Sequence, residues 1–164
     1  MSLLPANLRG VTATSLSSER ILMLKSRGIS DDDFKAIAPA LRDNAALNQL
    51  YLGYNDFGDE GARLLCEALA GQDNSQLELL GLRHCRIGNS GASAIADLLR
   101  QSASLKELGI DENQIGDAGA ETIAEAIREN TILQDLYIGN NNISKEGQEK
   151  LKAAKPASLR LHFE

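Results

Sequence analysis

The fold of this chain is decided by the stretch from Leu47 to Gly58, which reads LNQLYLGYNDFG. Four further segments share its pattern of apolar residues: ERILMLKSRGIS from Glu19, LELLGLRHCRIG from Leu77, LKELGIDENQIG from Leu105 and LQDLYIGNNNIS from Leu133. Successive copies begin 28 or 30 residues apart. A fixed period of this length, with an apolar frame inside it, predicts a solenoid in which each copy is one structural unit.

Each copy predicts a short strand. In the second copy, Leu50 and Leu52 alternate with Gln49, Tyr51 and Gly53, so a strand would bury the two leucines and expose the other three residues. The same alternation recurs in the other copies. The equivalent buried pairs are Leu22/Leu24, Leu80/Leu82, Leu108/Ile110 and Leu136/Ile138.

A turn and a helix follow each predicted strand. The side chain of Asn55 is expected to bond backbone groups of the turn, and Asp59 is expected to cap the helix that follows. Turn residues 71–75 should end that helix. Apolar residues recur at i, i+3, i+4 and i+7 and predict one buried helix face per copy. These faces are Phe34/Ile37/Ala38/Leu41, Ala62/Leu65/Cys66/Leu69, Ala92/Ile95/Ala96/Leu99 and Ala120/Ile123/Ala124/Ile127.

These residues resemble the leucine-rich repeat family, whose pattern is L-x-x-L-x-L-x-x-N/C-x-L. The 28-residue period with a full helix resembles the ribonuclease-inhibitor-like subclass, which includes ribonuclease inhibitor, the sensor arms of NOD-like receptors, the Ran GTPase-activating protein and the C-terminal domain of tropomodulin. The resemblance covers about Glu19 to Glu164. It implies an α/β, right-handed horseshoe solenoid with a parallel sheet on the concave face and α-helices on the convex face. Members of this subclass do different jobs, so the resemblance specifies the fold better than the function.

The sequence also predicts where the array stops. On the last helix, Gln148, Lys152 and Lys155 occupy positions that are apolar in earlier copies, as the polar outer face of a terminal repeat requires. Pro156 should end that helix, and residues 159–161 should form a closing edge strand. We therefore predict five repeats plus a closing strand over residues 19–164, preceded by an N-terminal cap or a loose lead-in over residues 1–18.

Composition excludes several classes of partner. The formal net charge is −6 and the pI is near 5.0, which argues against a nucleic-acid or anionic-membrane binder. No apolar run approaches the roughly 20 residues that span a bilayer. Two cysteines without a paired spacing pattern favour a reducing compartment, and the N-terminus lacks the pattern of a signal peptide. We expect a cytoplasmic protein.

The residues that usually carry chemistry are explained by the repeat itself. Cys85 occupies the frame position of the turn asparagine while its neighbour His84 points outward, and Cys66 lies on a predicted buried helix face. Asp31–Asp33 fall where a helix begins, and acids there complement the helix dipole. The alternative, a calcium site, lacks the wider ligand set that such a site needs. We therefore expect no catalytic residues, no metal and no cofactor.

The strand residues between the frame leucines vary, and they form the candidate site. In the first row of projecting residues, two tyrosines flank two glycines. The candidate partner-binding residues are Tyr51, Tyr54, Arg83, His84, Asp111, Glu112 and Tyr137. Tyr and Arg are favoured at binding hot spots, and a glycine floor lets a partner approach closely. The alternative is that these are ordinary solvent-facing side chains, with Arg83 and Asp111 forming a weak surface ion pair.

The function expected from these observations is a monomeric interaction module that binds another protein through the concave face, without catalysis of its own. Three alternatives stay open. The chain resembles the Ran GTPase-activating protein, which implies a regulator of a GTPase. It also resembles the tropomodulin C-terminal domain, which implies an actin cap. It is also compatible with a sensor arm from a larger receptor or a bacterial effector.

Overall fold

The computed structural model describes residues 4, 6–8, 10–70 and 76–164. Within these residues, short parallel strands alternate with helices. The strands are β1 (Ile21–Met23), β2 (Gln49–Tyr51), β3 (Leu79–Gly81), β4 (Glu107–Gly109), β5 (Asp135–Tyr137) and β6 (Arg160–His162). The helices are α1 (Ala13–Ser18), α2 (Asp31–Arg42), α3 (Asp59–Leu69), α4 (Asn89–Gln101), α5 (Asp117–Glu129) and α6 (Lys145–Ala154), and a 3-10 turn at Ala6–Leu8 precedes α1. The turn predicted at 71–75 lies outside the described residues.

The six strands form one parallel sheet in chain order, from β1 to β6. The register places equivalent residues side by side, so that Leu22 pairs with Leu50 and Leu50 with Leu80. Each helix contacts the next helix along the chain. The predicted α/β leucine-rich-repeat solenoid is therefore confirmed.

The core lies between the sheet and the helices. Every predicted strand pair and helix face is buried, and the most exposed of these side chains, Ala38, is only 6% accessible. Gly53 differs from its predicted exposure. It is buried because the carbonyl oxygen of Arg83, in the next repeat, lies 3.1 Å from the position that a Cβ of Gly53 would occupy.

The turn asparagines bond backbone groups of their own turns, as the sequence predicts, and they also join successive repeats, which it did not predict. The Asn113 Oδ1 accepts hydrogen bonds from the backbone N–H groups of Cys85 (2.9 Å) and Ile87 (3.0 Å). Its Nδ2 donates to the carbonyl oxygens of Leu82 (2.8 Å) and Ile110 (3.0 Å). One amide group thus satisfies backbone groups of its own turn and of the preceding turn, where water is excluded.

The helix caps correct one prediction. Asp59 is the first residue of α3 and does not cap its own helix, which begins after Gly58. Its Oδ1 instead accepts from the backbone N–H groups of Gly88 (2.7 Å) and Gly91 (2.8 Å), at the start of α4. The physical reason is that a side chain at the first helical position points towards the next repeat. The first residues of three other helices likewise accept hydrogen bonds from backbone N–H groups of the following repeat: Asp31, Asn89 and Asp117.

The two ends of the described array differ from its middle. At the N-terminal end, α1 contacts α2, and Leu8 and Leu16 are buried. The Asn44 Nδ2 donates to the carbonyl oxygen of Leu16 at 3.0 Å, which ties α1 to the first repeat. At the other end, β6 pairs with β5 and places Leu161 beside Leu136. None of the helices in the described ranges is long and apolar enough to cross a membrane.

Candidate functional site

The side of the sheet that faces away from the helices, here termed the concave face, carries parallel rows of side chains. The strand register aligns Met23, Tyr51, Gly81, Gly109 and Tyr137 in the first row. A second row, two residues further along each repeat, contains Lys25, Gly53, Arg83, Asp111 and Gly139. A third row follows it with Ser26, Tyr54, His84, Glu112 and Asn140. These rows are the ones that the repeat alignment predicts.

A cavity of about 210 Å³ opens at the centre of the concave face. Five of the seven predicted site residues line it, namely Tyr51, Tyr54, Arg83, Asp111 and Tyr137. Gly81 and Gly109 contribute to the same cavity, together with Lys25, Gly53, Leu79, Leu80 and Glu107. The sequence analysis did not assign Lys25 or Glu107 to the site. Lys25 belongs to the second row, and Glu107 is aligned with Leu79 and Asp135 at the start of its strand, so the repeat alignment contained the signal.

Arg83 holds two acidic side chains beside this cavity. Its Nε lies 3.1 Å from the Asp111 Oδ2, and its Nη2 donates to the Glu112 Oε1. The hydrogen bond from Arg83 lowers the pKa of Glu112. Burial raises the pKa of Asp111, and the positive charge of Arg83 offsets part of that rise. The predicted Arg83–Asp111 contact is therefore part of a three-residue network.

His84 and Glu112 lie next to the cavity. The His84 ring stacks on the Tyr54 ring with centroids 5.4 Å apart, and the His84 Nδ1 lies 3.4 Å from the Glu112 Oε2. All five residues of the third row have a positive φ, between 52° and 60°. The left-handed region is unfavourable for residues other than glycine. No glycine marks this position, so the sequence carried no signal for that conformation.

A second aromatic contact lies at the β5–β6 edge of the concave face. Tyr137 stacks on His162 with centroids 4.2 Å apart and planes 12° from parallel. Asp135 accepts from the Arg160 Nε at 2.6 Å and lies 2.9 Å from the His162 Nε2. The hydrogen bond from Arg160 lowers the pKa of Asp135. Sequence reasoning missed Arg160 and His162 because it treated their strand only as a closing edge.

The thiols and acids of the chain occupy structural positions. Burial raises the pKa of Cys66 to about 12 and also that of Cys85 to about 12. The Cys85 thiol donates to the carbonyl oxygen of Leu52 at 3.3 Å, inside the turn where the frame predicts it. Among the residues that the structure describes, no group of three or more His, Cys, Asp or Glu side chains is placed to hold a metal ion.

The chain belongs to the leucine-rich repeat family. The family model described as Leucine Rich repeat matches residues 43–66, 73–96, 101–124 and 129–152. Ribonuclease inhibitor of Sus scrofa is 36% identical over 86 residues, which cover 52% of this chain and 19% of that protein. "NACHT, LRR and PYD domains-containing protein 4C" of Mus musculus is 36% identical over 85 residues, covering 52% of this chain and 9% of that protein. The repeats are thus of the ribonuclease-inhibitor-like kind, and the matched segment spans less than a fifth of either relative.

A solved structure supports the same fold. Leiomodin-1 Actin-Binding Site 2 (ABS2) superposes on this chain with a TM-score of 0.68. The match covers 94% of this chain and 88% of that chain, at 19% sequence identity. At this identity, the likeness shows a shared architecture.

Proposed function

We propose that this chain is a protein-binding module that holds a partner protein on its concave face and has no catalytic activity of its own. Leucine-rich repeats themselves suggest protein binding, because solenoids present extended surfaces of this type. The observation that carries the choice of face is the central cavity between Tyr51 and Tyr137. Tyrosine and arginine are favoured at the centres of protein interfaces, and both residue types line this cavity.

The size of the cavity supports a protein partner. Small-molecule pockets usually have volumes of about 300–1,000 Å³. The cavity here measures about 210 Å³ and lies in an open sheet face. A volume of this size accommodates a side chain or a short stretch of a partner, while the surrounding rows supply further contacts.

The ionisable groups support a role in binding without catalysis. A nucleophilic cysteine acts as its thiolate, and a pKa of about 12 keeps Cys66 and Cys85 protonated near neutral pH. Arg83 is held by Asp111 and Glu112. The chemistry at the centre of the face is therefore recognition by hydrogen bonds, charge and aromatic surface.

The proposal extends to the state of the protein in the cell. We propose a monomer in the cytoplasm that binds neither nucleic acid nor membrane. The acidic pI near 5.0 supports the absence of nucleic-acid binding, and two free buried thiols suit a reducing compartment. Fractionation of cells tests the cytoplasmic location, and the mass of the purified protein in solution tests the monomeric state.

Affinity enrichment from cell extract tests the proposed face. The wild-type chain is compared with a Tyr51→Ala/Tyr137→Ala double variant, and a Glu121→Ala/Lys150→Ala variant on the helices serves as the matched control. We expect a protein that the wild type and the control capture and that the tyrosine variant loses, with circular dichroism showing that all three are folded. Equal capture by all three would move the binding site away from the concave face.

Actin is a second candidate partner. The observation that favours it is the fold shared with leiomodin-1 ABS2, an actin-binding site, over 94% of this chain. Co-sedimentation with actin filaments tests it directly. Pelleting of the wild type together with filaments, and loss of pelleting in the tyrosine variant, would name actin as the partner.

A further inference from the structure

The first row of the concave face contains two glycines that the fold itself does not require. A Cβ added to Gly81 would lie 3.5 Å from the Tyr51 Cδ1, and one added to Gly109 would lie 3.7 Å from the Asp111 Oδ1. Both distances are ordinary van der Waals contacts. Neither glycine has a positive φ. Alanine therefore fits both positions without a change in the backbone.

Other glycines of the array have a packing reason. The position of a Gly91 Cβ lies only 2.6 Å from the Ile87 Cγ2, and that of Gly53 lies 3.1 Å from the carbonyl oxygen of Arg83. Glycine inside a strand costs roughly 0.5–1 kcal/mol relative to alanine. Gly81 and Gly109 are adjacent in the sheet, so both of these neighbouring positions carry this free-energy cost. A strand glycine often marks a point where another backbone approaches closely.

The tyrosines on either side limit the width of what can approach. Tyr51 lies on β2 and Tyr137 on β5, three strand spacings apart, which is about 14 Å between their Cα atoms. The Tyr51 ring leans over Gly81 and narrows this opening. An α-helix with its side chains is about 10–12 Å wide and would leave little room beside the Tyr51 ring. An extended main chain does fit.

One carboxylate at this slot makes no hydrogen bond or salt bridge to the part of the chain that the structure describes. Glu107 lies between Leu79 and Asp135 in the register. Asp135 is held by Arg160 and His162, whereas the Glu107 side chain makes no salt bridge or hydrogen bond within the described ranges. Lys25 lies on the β1 side, where its Nζ stands 4.9 Å from the centre of the Tyr51 ring. Asp135 is already paired with Arg160, so Glu107 is the acid with which a cation from outside would pair.

We propose that Gly81 and Gly109 are the floor of a slot for an extended segment of the partner protein, and that a lysine or arginine of this segment pairs with Glu107. The inference rests on the proposed function and specifies how the partner engages. The main chain of the segment lies on the two glycines between the rings of Tyr51 and Tyr137. Its basic side chain gains charge complementarity from Glu107 and contact with an aromatic face.

A peptide titration tests the charge preference. The 15N-labelled chain is titrated with acetyl-Gly-Arg-Gly-amide, and acetyl-Gly-Glu-Gly-amide serves as the matched peptide. We expect saturable shifts of the Gly81 and Gly109 amide signals with the arginine peptide at millimolar concentrations, and none with the glutamate peptide. Glu107→Gln should weaken binding about fivefold, whereas Glu121→Gln on α5 should not change it. No saturable shift, or equal shifts with both peptides, overturns the proposal.

A Gly81→Ala/Gly109→Ala variant tests the floor of the slot. We expect its melting temperature to equal or exceed that of the wild type, while the arginine peptide no longer binds. A lower melting temperature would show that the fold needs these glycines, and unchanged binding would show that nothing approaches them closely. Either result overturns the slot. If the Tyr51→Ala/Tyr137→Ala variant still loses its captured partner, the proposed function stands without this slot. If its capture is unaffected, the proposed function and the slot both fail.

Discussion

At the scale of single residues, the turn asparagines join neighbouring repeats by hydrogen bonds. Asn113 is buried, and its amide bonds backbone groups in two successive turns. A buried backbone group that loses its partner costs about 1–3 kcal/mol, because water cannot replace the lost bond. Cys85 takes the equivalent position in the preceding copy with a single thiol donor, so that turn depends more on the asparagine that follows it.

Asn113→Ala should therefore destabilise the array by about 3 kcal/mol, since it leaves several buried groups unpaired. Urea unfolding followed by circular dichroism measures this change. Asn142→Ala is the matched control. Asn142 directly follows the turn asparagine of the next repeat, and its side chain is exposed. The control should shift the free energy of unfolding by less than about 0.5 kcal/mol. Equal losses in the two variants would contradict the role given to the frame amide.

Asp111 and Glu112 share Arg83, but their pKa values should be shifted in opposite directions from the ordinary values. We expect NMR titration to give a pKa above the ordinary value for Asp111, because burial dominates, and below it for Glu112, because the hydrogen bond from Arg83 dominates. Glu112 thus stabilises the fold above its unfolded-state pKa, and this contribution is lost as the pH falls through its lowered folded-state pKa. Asp111 has the opposite sign, so its penalty at neutral pH disappears on acidification.

Arg83→Ala checks the cause of both shifts. Without the arginine, the pKa of Asp111 should rise further and that of Glu112 should return towards its ordinary value. Arg86→Ala is a suitable control, because Arg86 lies in the same repeat and contacts Asp56 instead. If Arg83→Ala leaves both pKa values unchanged, the two acids do not depend on the shared guanidinium.

At the scale of elements, α3, α4 and α5 are each capped by the first residue of the helix before them. The first residue of α3 accepts two backbone N–H groups at the start of α4, and the same relation joins α2 to α3 and α4 to α5. The caps link neighbouring helices, so they couple the folding of one repeat to that of the next. Asn89 replaces an aspartate in this series, so a neutral amide oxygen accepts the same two bonds as a carboxylate.

Asp59→Ala should destabilise the protein by about 1–2 kcal/mol, the usual cost of losing a helix cap, whereas Asp59→Asn should be nearly neutral. Amide hydrogen exchange should show the loosened helix start at Gly88 and Gly91 in α4. Glu60→Ala removes the adjacent exposed acid and serves as the control. Faster exchange at the start of α3 instead would mean that Asp59 caps its own helix.

At the scale of the whole molecule, stability comes from stacking along one axis. The frame residues form a continuous core from Leu22 to Leu159, and each repeat covers the apolar face of its neighbour. An interior repeat therefore supports the repeats on both sides. Damage to its core should spread beyond the repeat in which it occurs.

Leu108→Asp should abolish cooperative folding, because it places an unpaired charge at a side chain with no solvent exposure. Thermal unfolding measured by circular dichroism tests this. Ile21→Asp makes the same kind of change at a residue that is 52% exposed on the concave face, and it should remain folded. If Leu108→Asp melts like the wild type, the assignment of the strand faces is wrong.

The sequence by itself determined the repeat, the strand and helix faces and the rows of the concave face. It did so because burial of apolar residues imposes a period that survives in the order of the amino acids. Five of the seven predicted site residues line the central cavity for the same reason. Gly53 shows the limit of this reasoning, because its burial depends on Arg83 in the next repeat.

Only the tertiary structure decided which groups meet across repeats. It placed the Asp59 carboxylate at the start of α4 and Arg160 and His162 on Asp135, and it left Glu107 without a hydrogen bond or salt bridge to any residue that the structure describes. It also separated Gly81, where a Cβ makes only ordinary contacts, from Gly53, where a Cβ would crowd the carbonyl oxygen of Arg83. These features depend on distances between residues roughly one period apart, and such distances are set by the way successive repeats stack.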